Sequence, residues 1–155
     1  MFLTFVYFVS LCCTGIAAGV GVETVLQNGA SRSLPAEAYV AMHQQLERMH
    51  ARVMPIVVNL ALAASVVVAA LERNRPVTLS LALGGIGALL VAIGLTLIFE
   101  LPINREIQSW PASAPPVKWI DARERWIAFN NVRQAAMFVA LICLLAAPVV
   151  RIAGA

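Results

Sequence analysis

The amino-acid sequence predicts an all-α integral membrane protein, an antiparallel four-helix bundle with an interfacial helix and a proline-rich loop at one end. Three observations lead there. The 155 residues are 61% hydrophobic and only 12% charged, whereas soluble domains carry about 45–50% apolar and about 25% charged residues. Four apolar runs, at about 2–27, 53–72, 77–101 and 126–150, each approach the ~20 residues that cross a ~30 Å hydrocarbon layer as a helix. The connections between them run long, short, long, so an up-and-down chain puts both long ones on the same side. Lipid offers no partner for backbone N–H and C=O groups, which makes these runs helices, and the length suits a single four-helix transmembrane domain, 1–155. A formal charge of +3, scattered over the ends of the apolar runs, suits lipid headgroups and argues against a nucleic-acid partner.

Each element follows from its local chemistry. The first run lacks a basic leader and stays uncharged to Val22, so it reads as a retained anchor and not a cleaved signal peptide. After it, "AEAYVAMHQQLERMHARVMP" (36–55) is polar enough to lie at the interface before the chain descends. The charged "ERNRP" at 72–76 is a tight turn in which Pro76 opens the third helix at its first turn. The segment "PINREIQSWPASAPPVKW" (102–119) carries prolines that bar regular helix through its centre. "GIAAG" at 15–19 and Gly84, Gly85, Gly87 and Gly94 permit close helix approach, within the bundle or in a homodimer. Cys12, Cys13 and Cys143 lie in apolar runs without any CxxC or zinc-ligand spacing.

In this topology the unusual polar residues converge on one end. Glu23 closes the first helix, His43 to Arg52 lead into the second, Glu100 and Asn104 close the third, and Trp126 to Arg133 open the fourth. On the fourth helix Trp119, Arg123, Trp126, Asn130 and Arg133 recur at spacings of four, three, four and three, which is one helical face. Interfacial anchoring accounts for Trp110, Trp119, Arg123 and Arg125. Arg133 sits deeper. An arginine at the centre of a membrane helix costs roughly 2.5–3.5 kcal/mol on insertion scales, so it is expected to face inward, paired with Glu100.

A second constellation is His43, Glu47 and His50, on one helical face by spacings of four and three. Glu47 and His50 form half of a di-iron carboxylate pattern whose other half is missing. The two histidines lie about 10.5 Å apart along the axis, too far to sandwich one haem. These three residues are the candidate ligands of a mononuclear metal ion, weighed against a solvated face of an interfacial helix.

The phrases "FELPINREI" from Phe99, Trp119, and "RWIAFNNVRQAAMF" from Arg125 resemble the anthrone oxygenase-like family of small four-helix membrane proteins; "GIAAG", "LPAEAYVAMHQQL" and "VMPIVVNLAL" extend the likeness over nearly the whole chain. The resemblance implies an enzyme that uses molecular oxygen to turn an anthrone, or a related lipophilic aromatic molecule, into a quinone. The family pattern falls on Asn104, Trp126, Asn130 and Arg133. Two positions depart from it: Glu100 stands where many relatives carry Asn, and Asn131 where many carry His.

The implied chemistry formally requires no cofactor. A base removes an acidic methylene proton, a cation holds the resulting phenolate-like anion, and the electron-rich carbon meets oxygen. In that scheme Arg133 stabilises the oxyanion, Asn104 and Asn130 orient the carbonyl, Trp126 and Trp119 bind the ring, and Glu100 or His43 takes the proton. The same residues admit two non-enzymatic readings: a transmembrane subunit of a larger membrane complex, and a carrier of a lipid or pigment.

Lys and Arg are concentrated at the polar end, which by the positive-inside rule favours a cytoplasmic site. Small membrane proteins with an even number of helices, however, commonly keep both termini in the cytoplasm, and that orientation in a bacterial inner membrane is the one expected here. Single cysteines at Asn74 and Ser113 in a cysteine-free background test it: Asn74→Cys should be labelled only from the cytoplasmic side and Ser113→Cys only from outside.

Overall fold

The computed structural model describes residues 1–154. Four helices, α1 (Phe2–Ser31), α2 (Ala36–Leu71), α3 (Pro76–Gln108) and α4 (Trp119–Ala153), are each long and apolar enough to cross a membrane. They form the expected up-and-down bundle, in which α1 packs on α2 and α4, and α3 packs on α4 and α2.

The helices are longer than the apolar runs. At 30–36 residues they span about 45–54 Å, against a hydrocarbon core of about 30 Å. The excess gathers at the end where α2 and α4 begin and α3 finishes. Three sequence expectations are corrected here. Residues 36–52 are the first turns of α2 and not a separate interfacial helix, α3 continues to Gln108, and α4 starts at Trp119. Hydropathy undercounts these stretches because they are amphipathic. They remain helical because Tyr39, Val40, Ile103, Ile107 and Ala122 pack on one another in a small core of their own above the lipid-level helices.

Lower in the bundle the core is built largely from small side chains. Ala61, Ala82, Ala140 and Ala147 are fully buried around Leu89, Leu144 and Val68, which lets helix axes approach where lipid provides no hydrophobic drive. Ser10 Oγ and Ser65 Oγ lie 2.8 Å apart between α1 and α2, and the Ser65 hydroxyl also lies 2.7 Å from the Ala61 carbonyl. The glycines divide sharply. A Cβ on Gly85 would sit 2.7 Å from Leu144 Cγ, whereas Gly15, Gly19, Gly87 and Gly94 have open space beside them. The "GIAAG" pair therefore faces outward and does not serve packing within the bundle.

The two ends are fastened differently. At the short-loop end Glu72, only 2% exposed, takes Arg151 Nε at 2.7 Å and Arg75 Nε at 3.8 Å, joining the α2–α3 turn to the end of α4. At the opposite end the ion pairs of Arg32 with Glu124 at 2.7 Å, and of Glu106 with Lys118 at 2.7 Å and Arg125 at 3.1 Å, are peripheral, and one, Arg133 with Glu100 at 2.9 Å, lies inside. Pro76 occupies the first turn of α3 as expected.

In α3 the helix changes register over Thr96–Glu100, where the Leu101 N–H reaches back five residues to the Thr96 carbonyl. Pro102 explains it, because it has no N–H for the carbonyl of Ile98 and its ring would crowd that carbonyl in a regular α-turn. The widened turn rotates the remainder of α3 by part of a turn.

Gly85→Ala should destabilise the bundle by about 1–3 kcal/mol, because the buried Leu144 has nowhere to move, while Gly87→Ala should be neutral or slightly stabilising. Unfolding of the two variants in the same detergent checks the contrast.

Candidate functional site

A cavity of about 360 Å³ occupies the centre of the bundle in its long-loop half and is lined by all four helices. Its polarity is graded. Ala17, Val58, Ala92 and Met137 form the lower wall; Tyr39, His43, Glu47, Glu100, Asn104, Trp126 and Arg133 form the upper one. Measured from the Glu72–Arg151 pair, the Cα of Arg133 stands about 27 Å up α4 and Glu47 about 37 Å up α2. The cavity thus straddles the edge of the hydrocarbon, apolar below and polar above.

Arg133 is the centre of the polar part. Its Nε donates to Glu100 Oε1 at 2.9 Å and its Nη2 to Asn130 Oδ1 at 2.6 Å. A helical side chain points toward the N-terminus of its own helix, so from this position on α4 the guanidinium rises toward the interface. Glu100, 3% exposed, is brought to meet it by the widened turn of α3. Asn130 is completely buried and does not line the cavity. It positions Arg133 instead of meeting a ligand.

A second network joins α2 to α3. His43 Nε2 donates to Asn104 Oδ1 at 3.1 Å, and the Tyr39 hydroxyl lies 3.4 Å from His43 Nδ1. Trp126 stands edge-on to the His43 ring at 5.0 Å. Both His43 nitrogens are therefore engaged. Above it, Gln44 Nε2 donates to the carbonyls of Ile107 and Trp110 at 2.9 Å, and Gln108 Nε2 to the Gln44 carbonyl at 3.0 Å.

Seven of the sequence-derived residues, His43, Glu47, His50, Glu100, Asn104, Trp126 and Arg133, thus line one cavity. Trp119 does not reach it. Its ring lies 4.9 Å from the Arg123 guanidinium and 5.6 Å from the Tyr39 ring, in a cluster above the cavity, so a ring-binding role for Trp119 is not supported by its position. Nor do His43, Glu47 and His50 assemble a metal centre: among the described residues no group of three His, Cys, Asp or Glu side chains can hold an ion. His43 turns to Asn104, which removes it from the other two.

Two further residues belong to the site. Gln134, 2% exposed, continues the Trp126–Asn130 row by another four residues, and its side-chain amide fills the space left by the missing Cβ of Gly21 on α1. Its spacing of four was the available signal. Tyr39, four residues before His43, gave the same kind of signal on α2. Asn131 lies outside the cavity and accepts from Asn28 Nδ2 at 3.1 Å, tying α4 to α1.

A profile described as anthrone oxygenase matches residues 42–143, which include the whole upper wall except Tyr39 and the residues from α1. The chain belongs to the anthrone oxygenase family. Neither a curated protein nor a solved structure matches it.

Removing Glu100 leaves an unpaired guanidinium at the lipid edge, so Glu100→Ala and Arg133→Ala should each cost more than half of what the double variant costs. A double-mutant cycle on unfolding in detergent should return a coupling of about 0.5–3 kcal/mol.

Proposed function

We propose that this membrane protein oxidises a lipophilic aromatic substrate of the anthrone type with molecular oxygen, in the cavity between its four helices. One observation carries the reading. Arg133 is held by two of its nitrogens while no protein acceptor meets Nη1, and Glu47 shares the cavity wall without an ion-pair partner among the described residues. A cation with an open donor and a carboxylate free of any ion pair among the described residues, beside an apolar chamber, are what the reaction requires. The volume falls within the ~300–1,000 Å³ of small-molecule sites.

With Glu100 committed to Arg133 and His43 engaged at both nitrogens, Glu47 replaces them as the base. Glu47 removes one proton from the central methylene, and the Arg133 guanidinium holds the negative charge that moves onto the ring oxygen. Oxygen then adds to the electron-rich carbon, taking up the electron pair, and the outer oxygen receives a proton. Loss of water breaks the O–O bond and removes the second C–H hydrogen, leaving a carbonyl; anthrone and oxygen give anthraquinone and water. Asn104 and Trp126 border the position of the ring, with Asn130 holding Arg133 in place. The donors of His43, Glu47 and His50 do not converge, and no step is assigned to a metal.

Oxygen uptake with anthrone as probe tests the reading in the purified full-length protein. Glu47→Gln should lower kcat by about 10²–10⁴-fold. Arg133→Lys, which keeps the charge but loses the planar fork, should lower it by about 10²-fold or more. Full turnover in either variant would remove that residue from the chemistry. Saturable binding of anthraquinone with no oxygen uptake would instead favour a pigment carrier.

A further inference from the structure

The cavity wall has a gap between α2 and α3, and the gap lies at the level of the lipid. The α carbons of Thr96–Glu100 nowhere come within 8 Å of those of α2, although the stretches of α3 on both sides of that segment do. Above the gap, α2 and α3 are joined by His43 with Asn104 and by Gln44 with Gln108. Below it, the helices close again around Ala61 and Leu89. Ala51, Pro55 and Asn59 on α2 and Leu97 on α3 line the cavity and are at the same time exposed on the outer face of the bundle. They are its rim.

Both rims carry an interrupted helix. Pro55 withholds the N–H that the Ala51 carbonyl would otherwise accept, and α3 runs in its widened register across the gap. Ala51 stands about 31 Å above the Glu72–Arg151 pair, at the boundary between acyl chains and headgroups. We infer that the space between Ala51 and Leu97 is a lateral portal, through which a flat apolar molecule dissolved in the bilayer passes directly into the cavity, and that these two side chains set the width it admits. The identity of that molecule rests on the reading given under Proposed function; the portal does not.

Its test therefore uses no turnover. In full-length protein carrying C12A, C13A and C143A and reconstituted in phosphatidylcholine vesicles, a reporter thiol is placed in the lower wall as Met137→Cys, with Val58→Cys as a second, independent reporter. N-phenylmaleimide dissolved in the bilayer should label both. Adding Ala51→Trp with Leu97→Trp should slow labelling roughly tenfold, while Val66→Trp, exposed on α2 away from the gap, should not. A membrane-impermeant charged thiosulfonate should not protect the thiols. Labelling that is indifferent to the paired tryptophans, or protection by the charged reagent, would overturn the portal and direct access to the aqueous end. Failure of anthrone oxidation with labelling as described would overturn the proposed chemistry and leave the portal standing.

Discussion

The organisation of the site depends on the pairing of Arg133 with Glu100. A guanidinium on a lipid-level helix has to be neutralised, and the partner comes from the adjacent helix at the one place where that helix departs from α-geometry. Pro102 causes the departure, the departure aims the carboxylate, and the carboxylate fixes the arginine with Asn130 completing the grip. The same widened turn holds α3 away from α2 over five residues. One local interruption of hydrogen bonding thus accounts for both the placement of charge and the opening beside it.

Much of the fold was legible in the sequence, because apolar length alone identifies membrane helices and the order of loop lengths sets which ends meet. The limits of the helices were not legible. Residues 36–52, 102–108 and 119–125 are helical through contacts with one another, a tertiary cause that a hydropathy reading has no access to. In the site, Glu100 and Arg133 were readable as a pair since each is costly in lipid without the other. The division of labour among the remaining residues was not. His43, Glu47 and His50 share a face by spacing, yet one hydrogen bond to Asn104 takes His43 out of the set, and only the structure shows Trp119 engaged with Arg123 instead of the cavity.

The graded wall of the cavity gives a physical basis for orientation. On the reading proposed above, a ligand entering along the membrane plane would keep its apolar body at acyl-chain depth and present its oxygen to the level of Arg133, so that the direction imposed by the bilayer before binding would match that imposed by the protein afterwards. Less rotational freedom then has to be lost in the chamber.

At the far end, Glu72 ties the α2–α3 turn to the last turns of α4 through Arg75 and Arg151, beside a buried core of Val6, Tyr7, Val68 and four alanines. The cavity end instead surrounds a hollow, with Arg133–Glu100 inside it and Arg32–Glu124 and Glu106–Lys118 at its rim. A bundle clasped at one end and hollow at the other has the geometry of a clip, in which a small angular change at the clasp becomes a larger displacement about 30 Å along the helices. The width of the mouth is thereby tied, by geometry, to the clasp farthest from it.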